Sequence, residues 1–244
     1  MGALDIHFAN HLYEIKGELL RVKNGSFYQL QPGVSGKKVY FTTDGSEPTS
    51  ESDKYNNPIS INKNIHLKAA VFDENGDRLS AVFEETIKLH KAVGEKIHLS
   101  VAPSKVYSGS GAEGLINGIQ GSDKRYGDKE WLGFWGDDLE IIIDLGIIQE
   151  VKSISTRFFD APGQWIYAPA KVTIYLLDDY KKILHSEDVG LTDDGKNLKN
   201  AEVGFNGIKA KYLQLQIKNY GTILEGAQGA GNKAWLFVDE IFVE

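Results

Sequence analysis

The 244-residue sequence contains no cysteine. Its absence excludes disulfides, thiolate nucleophiles and cysteine-ligated zinc. No run reaches the ~18 apolar residues of a spanning helix. The greasiest stretch, Leu139 to Ile148, is broken by Asp144 and Gly146. No basic stripe is present either. The net charge is −7, and the portions before and after Lys96 are both mildly acidic. Nucleic acid is therefore an unfavourable partner, and so is insertion into or adsorption on an anionic membrane. Met1–Asp5 lacks the charged and apolar regions of a signal peptide. Convincing amphipathic helix is missing throughout, since no long segment spaces its apolar residues at 3.6.

The composition that remains is ordinary for a globular chain, 41% hydrophobic and 25% charged, which supports a core without covalent staples. Apolar residues recur at a period of two. Val39–Asp44, His66–Phe72 and Ser80–Leu89 read as strands, and the turn-rich loop Asp73–Asp77 joins the last two as a hairpin. Leu139–Leu145, Glu150–Phe159, Lys171–Asp178 and Ala234–Glu244 read the same way. Tyr212–Lys218 alternates cleanly: Leu213, Leu215 and Ile217 face one way, Gln214, Gln216 and Lys218 the other. Such alternation predicts a half-buried antiparallel strand. The expected fold is all-β, two sandwiches spanning residues 1–95 and 96–244, with the border inside 91–96 and a short connection.

Several patterns invite chemistry and have plainer readings. Asp73, Asn75, Asp77 and Glu84 match positions 1, 3, 5 and 12 of an EF-hand, but Arg78 stands where the loop needs glycine, and a hairpin loop is expected. His7 and His11 are four apart without an intervening Glu or a third ligand, and read as surface histidines. The glycine-rich strings 108–114 and 226–231 lack the Lys-Ser/Thr of a phosphate loop and read as loops, the second as a rim to a binding site.

All four tryptophans lie in the second half: Trp131, Trp135, Trp165 and Trp235. Trp165 sits in a Pro- and Gly-containing loop, 160–167, between two strands. A large ring on a loop tip costs exposure unless it meets something. A sugar's flat C–H face is one such partner, with Arg157, Asp160, Gln164 and Tyr167 near in sequence to serve its hydroxyls. Packing between domains and a lid over the core are the alternatives. Trp135 is a second loop candidate, whereas Trp131 and Trp235 read as core.

Two stretches carry a resemblance. Val39–Thr49 (VYFTTDGSEPT), Tyr55–Ile59 (YNNPI) and Leu67–Phe72 (LKAAVF) resemble the immunoglobulin-like domain that follows chitobiase and β-hexosaminidase catalytic barrels. Leu115–Gly118 (LING), Trp131–Phe134 (WLGF), Ile142–Gly146 (IIDLG) and Trp235–Ile241 (WLFVDEI) resemble, in order, a discoidin domain, also called coagulation factor 5/8 type C, the fold of family-32 carbohydrate-binding modules. In tandem they look like the tail of a family-20 glycoside hydrolase of Bacteroidetes type.

The resemblance implies an Ig-like sandwich followed by a discoidin-type antiparallel jelly roll. It implies a non-catalytic region that recognises glycan, an N-acetylhexosamine or galactose-type sugar, for an exported enzyme whose catalytic domain lies outside this chain. It also implies a structural Ca2+ held by Asn117 and Glu240 with help from Asp123; otherwise Asn117 makes a turn and Glu240 is a solvated strand residue. The adjacent Asp239-Glu240 pair matches the acids of family-20 catalysis in type, but neighbours in a strand point to opposite faces and cannot converge on one bond. The competing reading is a scaffold that packs on the barrel or mediates oligomerisation without binding sugar.

Overall fold

The computed structural model describes residues 12–22 and 25–244; His7 and His11 lie outside them. The chain is all-β and divides into two compact units, up to Leu89 and from His90 onward. The described residues contain 3-10 turns but no α-helix, and among them no helix is long and apolar enough to cross a membrane.

The first unit holds β1 (Ile15–Val22), β2 (Gly25–Pro32), β3 (Lys38–Thr42), β4 (Asp53–Lys54), β5 (Ile59–Ile61), β6 (Ile65–Phe72) and β7 (Phe83–Ile87). They form two antiparallel sheets, ordered β1-β2-β5 and β4-β3-β6-β7. Tyr28, Leu30, Val39, Leu67, Ala69, Val71 and Ile87 are buried, as the period-two pattern requires. The Asp73 loop is a hairpin. Asp73 Oδ1 accepts the backbone N–H groups of Asn75 (2.8 Å) and Asp77 (2.9 Å), so the side chain that would open an EF-hand closes its own turn.

The second unit comprises β8 (Lys96–Leu99), β9 (Leu132–Trp135), β10 (Leu139–Phe159), β11 (Lys171–Leu177), β12 (Ile183–Val189), β13 (Leu191–Asp193), β14 (Leu198–Lys218), β15 (Trp235–Val238) and β16 (Phe242–Val243). The main path is β12-β11-β14-β10-β15-β9, all antiparallel. Where the sequence predicts two strands over 139–159, the structure has one of 21 residues. The β10–β14 register slips between Asp144 and Gln149 and again between Val151 and Ser153, so the ladder bends and resumes. Gly146, at φ 76°, makes the turn while donating its N–H to Asp144 Oδ1. The two arms of each long strand thereby enclose one core, built from Ile141, Ile143, Ile154, Phe158, Leu213 and Leu236 among others.

Two boundaries differ from expectation. The last predicted strand is interrupted at 239–241, because Asp239 and Glu240 are both drawn into the interior and are fully buried. The units divide just upstream of residues 91–96 because His90 and Lys91 are already bonded to the second unit. Lys91 donates its N–H to the Val243 carbonyl at 2.9 Å, and His90 Nε2 lies 2.7 Å from Glu240 Oε1.

Candidate functional site

Residues 161–166 build the most distinctive loop of the second unit. Ala161 and Ile166 exchange backbone hydrogen bonds at 3.0 and 3.3 Å and are both buried. Between them Pro162–Gln164 form one 3-10 turn, stopped by Trp165 in the left-handed conformation at φ 63°, ψ 22°. That conformation costs a bulky residue about 1–2 kcal/mol. The backbone around it is fixed: Trp165 N–H donates to Pro162 O, Trp165 O accepts Trp235 N–H at 2.8 Å, and Tyr167 N–H donates to Trp235 O at 3.1 Å.

The indole so placed is 37% exposed. Its ring centroid lies 6.4 Å from that of Trp135 at an interplanar angle of 34°, and Trp135 in turn sits 4.7 Å from Trp235. Trp235, expected in the core, is half-buried and belongs to this cluster. The second glycine-rich loop closes the other side. A Cβ on Gly229 would lie 2.5 Å from Trp165 Cδ1, so only glycine lets that loop approach the ring. Gln228 ties the two loops, its Nε2 donating to Gly163 O (3.3 Å) and its own carbonyl accepting the Tyr167 hydroxyl (2.9 Å).

Of the residues predicted to line a sugar site, Trp165, Trp135 and exposed Gln164 share this loop surface. Three do not contribute side chains to it. Tyr167 is buried, stacked on Tyr220 at 4.6 Å, with its hydroxyl spent on Gln228. Asp160 accepts the Ala168 N–H (3.2 Å) and faces Lys199 at 3.6 Å, holding the loop base. Arg157 turns to a separate network, where it binds Gly121 O (2.7 Å), Asp123 (2.7 Å) and Asp239. For Arg157 sequence proximity misleads because it leaves β10 on the face opposite buried Phe158.

That network also separates the proposed calcium ligands. Glu240 accepts the N–H groups of Asn117 (3.1 Å) and Gly118 (2.9 Å) beside His90. Asn117 donates to buried Glu130 (2.7 Å) and caps Ile119 N–H (2.7 Å) through Oδ1. Asp123 is half-exposed, paired with Arg157 and Lys196. Glu240 thus faces N–H donors where a cation needs oxygens, and Asp123 points elsewhere. The three residues do not fit a Ca2+ ion, and no acid-rich metal cluster occurs among the described residues.

Electrostatically the network is costly. Burial pushes the Asp239 carboxyl up to about 7 against the pull of Arg157. Burial likewise raises Glu130 against its bond from Asn117. Burial disfavours the Arg157 charge too, but Asp239 and Asp123 hold its pKa above the usual value. Asp239 and Glu240 diverge, one to Arg157 and one to His90, and neither reaches solvent. They have no access to a glycosidic bond.

Residues 29–87, within the first unit, match the family described as Fn3 associated. No curated protein matches the chain. Among solved structures, the chain is similar to the lectin domain of lectinolysin complexed with Lewis b antigen, at 16% identity and TM-score 0.44, over 64% of this chain and 96% of that one. It is similar to a fucose-binding module of Streptococcus pneumoniae at 13% identity and TM-score 0.42, over 64% and 94%. A chitosan-binding module from a chitosanase/glucanase of Paenibacillus sp. IK-5 gives 16% identity and TM-score 0.39, over 64% and 98%.

Proposed function

We propose that the second unit binds glycan on the Trp165–Trp135 surface, as a non-catalytic accessory region of an exported glycoside hydrolase of the β-hexosaminidase kind, with the first unit as a spacer. One observation carries the reading: a solvent-facing tryptophan held in a strained left-handed turn, its ring backed by Gly229 and lying beside a second indole. A fold does not place a large ring this way for its own core. Two tilted indoles offer apolar faces for the C–H side of a sugar, and Gln164 offers an amide for hydroxyls. A single shallow site of this kind has a dissociation constant of millimolar to tens of micromolar, about 4–7 kcal/mol. It acts by raising the local concentration of the attached enzyme at its substrate.

The test is a calorimetric or NMR titration with N-acetylglucosamine, N-acetylgalactosamine and galactose, on the wild type and on Trp165→Ala. Saturable binding lost in a folded Trp165→Ala supports the reading. A folded wild type that binds none of the three leaves the scaffold role as the better account of both units.

A further inference from the structure

The outward face of the second unit's sheet carries a second constellation, which shares no residue with the tryptophan surface. Glu140 on β10 is the register partner of Gln216 on β14, and Gln216 is in turn the partner of Thr173 on β11. Tyr175 and Gln214 pair two residues further along, and side chains two apart share a face. Gln214 Nε2 donates to Glu140 Oε2 at 2.7 Å and Gln216 Nε2 to the same oxygen at 3.3 Å, while the Tyr175 hydroxyl donates to Gln216 Oε1 at 3.1 Å. Glu140, Thr173, Tyr175 and Gln216 border a concavity of about 370 Å³ that Leu139, Ile217, Lys171 and Lys218 also line, with Gln214 holding Glu140 from beside it. A volume of that size is within the ~300–1,000 Å³ range of ligand sites.

Side chains on an ordinary solvated sheet face turn independently to water. Here a carboxylate, an amide and a phenol that line a hollow are bonded to one another, and the carboxylate is held by a second amide beside it, so their remaining donors and acceptors are preset. The charges lining the hollow cancel: Lys171 and Lys218 stand against Asp138 and Glu140, and Lys171 is further paired with Asp188 at 2.9 Å. A phosphate or polyanion gains nothing here. Planar amide and carboxylate groups each match the two hydroxyls of a vicinal diol, and a site built on such groups rejects ligands that lack them.

We propose that this groove is a second glycan site, for a neutral oligosaccharide lying across β10, β14 and β11. The proposal deepens the carbohydrate-binding reading and rests on it for the class of ligand, but not on the Trp165 surface.

The experiment is an NMR titration of the full chain with cellohexaose, xylohexaose, laminarihexaose and maltohexaose, each to about 10 mM, beyond the range expected for a weak single site. The side-chain amide of Gln216 reports the groove directly and that of Gln214 through its bond to Glu140, and the Trp165 indole N–H reports the loop. The expected result is saturable shifts of both glutamine amides with at least one hexasaccharide. In Trp165→Ala they persist with affinity changed less than about twofold, and Tyr175→Phe and Gln216→Ala each weaken it roughly fivefold or more. Glutamine amides that stay unmoved by all four sugars overturn the groove whether or not the indole responds. Glutamine shifts abolished by Trp165→Ala overturn it as a separate site. An indole that stays silent while the glutamines respond removes the loop reading alone.

Discussion

Trp165 concentrates the functional argument because its backbone and its side chain are both costly. Relaxing the left-handed turn is worth about 1 kcal/mol, and burying the indole more, yet neighbouring backbone bonds oppose both changes. Gly229 is what permits the arrangement. Gly229→Ala meets two penalties, a φ of 86° and a Cβ within 2.5 Å of the indole. We expect that variant to fold with about 1–2 kcal/mol less stability and to lose sugar binding as Trp165→Ala does, because the ring is pushed from its seat. Unchanged affinity in a folded Gly229→Ala, measured by calorimetry, would show that the ring's position is immaterial. The candidacy of Trp165 is legible in the sequence, since a Pro-Gly loop announces a turn and a tryptophan inside it is unusual. The partner from 226–231 is legible only as a loop, because nothing local says which ring a glycine will approach. Tyr167 shows the converse: Trp165 and Tyr167 are both rings in the same loop sequence, and only the fold decides that the second is inside.

At the level of elements, the period-two patterns of β3, β6, β11 and the second half of β14 announce themselves, because one face is apolar and the other is not. Interruptions are what the pattern hides. The apolar alternation of 139–159 continues through a bulge that the sequence reads as a gap, and 234–244 reads as one strand although two acids break it. Asp239 is the reason for that break and has a measurable consequence. Its folded pKa of about 7 lies above the ~3.9 of an unfolded aspartate. The folded state therefore holds the proton more tightly, and this group's contribution is fully present below about pH 4 and lost as pH rises through about 7. The stability difference between wild type and Asp239→Asn should fall across that window, by a few kcal/mol at most. Equilibrium denaturation of both proteins at pH 4.5, 6 and 8 (roughly the span of that titration) measures it. A difference that grows with pH would mean that Arg157 outweighs burial and holds the carboxylate ionised.

For the chain as a whole, two cores are readable from composition and strand spacing, but the point at which one unit gives way to the next is not. Residues 88–97 carry neither a turn cluster nor a change in polarity, so the sequence places the border late. His90 belongs to the second unit, with its Nε2 2.7 Å from Glu240, 150 positions away in sequence, and its ring 5.0 Å from that of Phe242. Ala92 N–H donates to His90 Nδ1 at 3.3 Å, which leaves the imidazole proton on Nε2, facing the carboxylate. Removing that donor takes one hydrogen bond from a fully buried carboxylate, at a cost of about 1–3 kcal/mol. Every tryptophan of the chain is in the second unit, so intrinsic tryptophan fluorescence reports its unfolding selectively. His90→Ala should shift the tryptophan-reported urea transition to lower denaturant with its slope unchanged. A border at residue 95 makes the opposite prediction, a transition unmoved by any substitution at position 90, and the two differ by enough to be read from one pair of denaturation curves.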